Sequence, residues 1–222
     1  MRTLQTGFTL THLLIGCALL AGPTAQAQAQ EQMNMDAHAH EQMMMSMPGM
    51  SMPGMKMPAM KTSTVAYAVP AVMLVRDDGK TVALKDELDD GRPVVLTFIY
   101  TTCTSICPVI SQTLSQLQQT LGADRDKVHI VSISIDPEND TPARLRDYAA
   151  KFGAGPEWQH YTGTMAASVA AQKAFNVYRQ DKMDHNPVVL LRAAPGKSWV
   201  RIDGFATADD LLHTYHSLVA AN

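Results

Sequence analysis

Cys103 and Cys107 lie in the stretch TTCTSICPV (residues 101–109), with Thr104, Ser105 and Ile106 between them. Thiols this close have three possible uses: a dithiol–disulfide couple, a thiolate clamp for a soft metal ion, or two inert neighbours in a core. Dithiol redox motifs place two residues between their cysteines and zinc knuckles two to four, so spacing alone does not decide. The choice rests on what positions the pair, which compartment it works in, and whether a third ligand exists.

The flanks supply the positioning. PVVLTFIY (residues 93–100) is an almost continuous apolar run, as expected of a strand buried on both faces. Downstream, Ile110, Leu114, Leu117 and Leu121 fall at helical spacing, and Gly122 ends the run. The cysteines therefore sit where a buried strand gives way to a helix. A helix N-terminus concentrates unpaired N–H groups and positive potential, which favours thiolate. The i, i+4 spacing turns both sulfurs to one side of the first turn, where Pro108 is tolerated.

The compartment is read from the N-terminus. Arg2, an apolar stretch from Phe8 to Ala21, and small residues at Ala25 and Ala27 form a secretory signal, with cleavage expected after Ala27. LIGC (residues 14–17) resembles a lipobox, so lipidation of Cys17, with a membrane tether, is the alternative to a soluble periplasmic protein. Either route leaves Cys103 and Cys107 as the thiols of the mature chain, in a compartment where a nearby pair is oxidised or kept reduced for a purpose. A formal net charge of -3 gives no electrostatic case for nucleic acid.

Residues 28–64 differ sharply in composition from residues 65–222. Eleven of the chain's 15 methionines fall between Met33 and Met60, beside His38 and His40. Three pentads, SMPGM, SMPGM and KMPAM, pair Met47 with Met50, Met52 with Met55, and Met57 with Met60. A proline in each pentad excludes a regular helix or central strand, and a disordered segment is expected. A biased linker is one reading, but thioether is a soft, neutral ligand suited to Cu(I), and imidazole suits Cu(II). Accessory copper binding is the reading taken for Met47, Met50, Met52, Met55, Met57, Met60, His38 and His40.

A globular domain is expected over residues 65–222. VMLVRDDGKTVAL (residues 72–84) alternates around Asp78-Gly79 as a β-hairpin, and VHIVSISI (residues 128–135) reads as a second buried strand. Thr141-Pro142 opens a helix to about Phe152, another spans 165–175, and a strand at 188–193 pairs with SWVRIDGF before a last helix at 208–220. Buried strands joined through a helix, then antiparallel strands, give a three-layer α/β sandwich of thioredoxin type with an N-terminal hairpin extension. His160 is placed in a loop near Trp158, His129 at the start of a strand, and His213 and His216 on the last helix in solvent. His185, in KMDHNPVVLL, precedes the strand that abuts the cysteine loop in that topology and is the candidate third ligand.

The domain resembles the Sco/SenC family of copper chaperones through Cys103-x-x-x-Cys107-Pro108, VSISIDPENDTP (residues 131–142), YTGT (residues 161–164) and Asp184-His185. The resemblance implies copper held by Cys103, Cys107 and His185. It also implies a cuproprotein client, the dinuclear copper centre of cytochrome c oxidase, served by a monomer as copper donor or as thiol reductant. The chain departs from the family in Thr104-Ser105-Ile106, where Pro and Asp are common between the cysteines, and in Asn186-Pro187 after the histidine. Two alternatives stay open: a thiol-disulfide oxidoreductase acting on cuproprotein cysteines, which would make the protein an enzyme, and a copper-tolerance factor.

Overall fold

The structure is a computed structural model that describes residues 60–221. Among them, eight strands form one mixed sheet: β1 (Lys61–Val65), β2 (Met73–Arg76), β3 (Thr81–Ala83), β4 (Val94–Ile99), β5 (His129–Ser134), β6 (Trp158–Gly163), β7 (Val188–Arg192) and β8 (Trp199–Asp203). Their order across the sheet is β1-β8-β7-β4-β5-β6-β2-β3. β4, β5 and β6 run parallel, and the remaining pairs are antiparallel. The helices are α1 (Leu84–Leu88), α2 (Ile106–Leu121), α3 (Pro142–Lys151), α4 (Met165–Ala174) and α5 (Ala208–Ala220), with short 3-10 segments at Gly122–Lys127 and Lys182–Asp184.

Side-chain alternation along the strands divides the core in two. Val95, Ile130, Val189, Leu191 and Ile202 meet Ile110, Leu114, Leu117 and Leu121 of α2 and Leu211 and Tyr215 of α5. The in-between residues Val94, Leu96, Phe98, Val131, Ile133, Val188 and Leu190 pack on the other side against Leu84, Leu88, Ala167, Ala171 and Phe175. β4, β5 and β7 are buried along their whole length, which is why apolar residues fall on both faces of each strand. Thr141, Thr164 and Thr207 cap α3, α4 and α5 with their side chains, Thr207 in a full capping box with Asp210. Gly122, with φ of 53°, lets the chain leave α2 in the left-handed region.

This is the thioredoxin-like α/β sandwich expected from the sequence, with three differences. First, β1 pairs residue for residue with β8, so a strand not expected from the sequence covers residues 61–65. KTSTV is polar and follows the methionine repeats, and it becomes a strand only because β8 offers an open edge. Second, WQHYTG forms β6 between β5 and β2, which moves His160 from the expected loop into a buried strand. Its polar residues hide the strand pattern but are accommodated: Trp158 Nε1 donates to Ser132 Oγ at 2.9 Å, and Tyr161 Oη donates to Glu87. Third, α2 begins at Ile106, four residues before Ile110 opens the apolar periodicity, so Cys107 lies in its first turn while Cys103 stays in the preceding loop and the two sulfurs do not share a helix turn as expected. The signal segment, Cys17, His38, His40, Met47, Met50, Met52, Met55 and Met57 lie outside the described residues, whereas Met60 lies within them and is exposed.

Candidate metal centre

Three elements converge at the C-terminal end of the parallel strands. β4 ends at Ile99, and the loop from Tyr100 carries Cys103 to the start of α2, whose first turn holds Cys107. The Cys107 backbone N–H donates to Cys103 Sγ at 3.3 Å, so the unpaired amide of the helix start is aimed at the sulfur. From the far side of β4, the 3-10 segment Lys182–Asp184 delivers His185 just ahead of β7. His185 Nε2 stands 3.4 Å from Cys107 Sγ. The two sulfurs and one imidazole nitrogen all lie within 4.8 Å of one another, and both thiols are free.

Hydrogen bonding fixes the chemistry of each donor. His185 Nδ1 lies 2.9 Å from the Lys182 carbonyl oxygen, which can only accept, so the ring proton belongs on Nδ1 and Nε2 keeps its lone pair toward Cys107. Burial lowers the His185 pKa, keeping the imidazole neutral, against the opposing pull of the Lys182 carbonyl. The cysteines diverge. For Cys103, burial acts to raise the pKa, but the Cys107 and Ser105 amides outweigh it and bring it down to about 7. Burial pushes the Cys107 thiol well above its ordinary value, and the Cys103 sulfur adds to the effect.

The support around the ligands comes from residues that sequence reasoning did not assign. Asp140 is fully buried and receives the Thr101 N–H at 3.2 Å, the Thr101 hydroxyl at 2.6 Å and the Ser134 hydroxyl at 2.6 Å. It thereby ties the cysteine loop to β5 and the start of α3. Asp136 accepts from Lys182 Nζ at 2.6 Å and from Asn139 Nδ2, so it holds the residue whose carbonyl orients His185. The Tyr100 ring packs edge-on against the His185 imidazole with centroids 5.2 Å apart. The signal for the two aspartates was the DPENDTP segment, which reads equally well as a turn and helix cap.

The other histidines stand apart from this cluster. His129 faces the Glu87 carbonyl and Gln159 at the start of β5, and His213 and His216 are exposed on α5. His160 stacks on Trp158, and burial lowers its pKa to about 3, so it is a neutral core residue. Met60 is the one thioether of the expected accessory set within the described residues, and it lies outside the cysteine–histidine cluster.

The donor set fits one soft or borderline ion. Ligands about 2.0 to 2.3 Å from a common metal lie roughly 3.5 to 4 Å apart, close to the separations present here. Two thiolates and a neutral imidazole select Cu(I) or Zn over hard cations.

Fold and site together define a thioredoxin-like protein with a two-sulfur, one-imidazole donor set at its strand-to-helix loop. The SCO1/SenC family profile matches residues 62–220, and the chain belongs to that family. It is 32% identical over 139 residues to the SCO1 protein homolog of Bacillus subtilis, covering 59% of this chain and 71% of that one. Among solved structures it is similar to copper-bound ScoI of Bradyrhizobium japonicum at 26% identity and a TM-score of 0.58, over 68% of this chain and 99% of that chain. It is also similar to BsSco, described as a member of the Sco family of cytochrome c oxidase assembly proteins with a disulfide switch, at 27% identity and a TM-score of 0.60, over 72% and 98% of the two chains.

Proposed function

We propose that this protein is an exported copper chaperone that holds copper through Cys103, Cys107 and His185 and passes it to a cuproprotein client in the periplasm. The observation that carries the reading is the convergence of the three donor atoms within 4.8 Å, with His185 Nε2 left as an acceptor. Family relationship and the copper-bound Bradyrhizobium relative support copper as the cargo. The description of BsSco as a cytochrome c oxidase assembly protein supports cytochrome c oxidase as the client, and the family resemblance points to its dinuclear copper site. The methionine pairs upstream of Lys61 fit a role in gathering Cu(I) at high local concentration.

Copper titration of the reduced full chain and of His185→Ala tests the site. One copper per chain is expected in the wild type, with a large loss of affinity and an altered Cu(II) absorption spectrum in the variant. Unchanged stoichiometry and spectrum in His185→Ala would remove His185 from the site. A second reading, thiol-disulfide oxidoreductase, is favoured by the unequal thiols: a Cys103 brought down to about 7 is the attacking sulfur and a shielded Cys107 the resolving one. His185→Ala separates the two, because exchange with a disulfide substrate requires both cysteines and not the imidazole.

A further inference from the structure

The three ligands are almost sealed from solvent: Cys103 is 6% exposed, Cys107 0% and His185 8%. An ion arriving from outside needs a donor that it can meet before it reaches them. Met183, at 68% the most exposed of the large apolar side chains described, stands two residues before His185 in the 3-10 segment Lys182–Asp184. Its sulfur does not hang free. The Tyr100 hydroxyl donates to Met183 Sδ at 3.3 Å, and the same Tyr100 ring packs against the His185 imidazole. One sulfur lone pair is thus tied to the site's own rim, and the other is available to a soft ion.

Strand register gives an independent reason to look here. Lys61 pairs with Asp203, and Asp203 pairs with Val188, three residues after His185. With strands about 4.8 Å apart, Lys61 lies roughly 10 Å from Val188 at the same end of the sheet. Met60 therefore joins the fold at the edge that carries the sulfurs and His185, and its own side chain is 42% exposed. Thioether pairs precede Lys61 in sequence, and Met183 is an exposed, anchored thioether at the end of the sheet where Lys61 begins β1.

We infer that Met183 is the first docking ligand for Cu(I) presented by thioether donors, and that it hands the ion inward to Cys103, Cys107 and His185. The inference rests on the copper-site reading above. The transfer is ligand exchange with no change of oxidation state. A Cu–thioether bond of the donor is replaced by one to Met183 Sδ, which is in turn replaced by bonds to the two thiolates and His185 Nε2. Protons still held by the thiols leave to the buffer, and every methionine is released neutral.

The test uses the reduced full chain under anaerobic conditions. Cu(I) is supplied on a synthetic peptide of residues 46–60, and Cu(I)–thiolate absorption is followed by stopped flow. Equilibrium Cu(I) affinity is measured separately by competition with a chromophoric chelator. Met183→Leu keeps shape and apolarity while removing the sulfur. It is expected to slow uptake about tenfold, which is a barrier higher by about 1.4 kcal/mol, with wild-type equilibrium affinity. Wild-type uptake in Met183→Leu would overturn the inference alone, as would an affinity loss that matches the rate loss. Unchanged affinity in His185→Ala would overturn the underlying site and this inference with it.

Discussion

Alkylation of the reduced, copper-free protein by iodoacetamide across about pH 5 to about pH 9 should modify the two cysteines very unequally. Cys103 is slightly exposed, with its thiol brought down to about 7, whereas Cys107 is fully buried with its thiol pushed up. An ordinary thiol titrates near 8.5, so at pH 7 about 3% of it is thiolate against about half of Cys103, roughly a fifteenfold excess. A lower pKa also weakens the nucleophile, by about fivefold over such a shift, leaving roughly a threefold net advantage before access is counted. Restricted access scales the rate without moving the midpoint, so the midpoint is the quantity to read. Mass spectrometry should find one adduct, on Cys103, with a rate midpoint near pH 7, and copper loading should abolish it. Equal labelling of both cysteines at neutral pH, or a midpoint near 8.5, would refute the argument from the helix-start amides. Linkage fixes the accompanying stability change. The lowered Cys103 contributes stability that is present above about 8.5 and lost as pH falls through about 7, while the raised Cys107 costs stability above about 8.5. The pair's contribution to the reduced protein therefore crests between those values.

Two further outcomes concern the supporting residues. Asp140→Ala would leave the Thr101 N–H and two hydroxyls without their buried acceptor; at about 1–3 kcal/mol for each such group, a loss of at least about 3 kcal/mol is expected in denaturant unfolding, and a loss under about 1 kcal/mol would contradict the anchoring role. Lys182→Met should weaken copper binding about tenfold in a competition titration, as loss of a support behind a metal-binding histidine typically does. The double variant with Asp136→Asn should be no worse, since the two changes remove one interaction; additive losses would show that Lys182 and Asp136 act separately.

The parts of the site readable from sequence were those governed by periodicity. The apolar stretch at residues 94–99 and the alternating one at 129–134 mark doubly buried strands, and the helical spacing that follows Cys107 puts that cysteine at a helix start, with Cys103 in the loop just before it. His185 was reachable through topology, because it precedes the strand antiparallel to β4. What escaped is polar and non-local. β6 buries His, Tyr and Thr, so its sequence resembles a loop until β5 and β2 close around it. Asp140 receives Thr101 from 39 residues away, and Lys182 reaches Asp136 across 46. Nothing in a single chain's local pattern distinguishes an aspartate that caps a turn from one that ties two loops together.

The orientation of the cysteine loop separates two demands that selection could otherwise set against each other. Both cysteines are buried, with the Cys107 amide donating to Cys103 Sγ and His185 Nε2 beside Cys107 Sγ, while Asp140 holds the loop through Thr101 and the intervening Thr104 and Ser105 are exposed. Of the two, Ser105 reaches back toward the donors, its hydroxyl 4.0 Å from Cys103 Sγ, whereas Thr104 belongs to the outer face of the loop alone. A substitution at Thr104 therefore changes the surface over the centre while leaving the sulfurs and the imidazole in place.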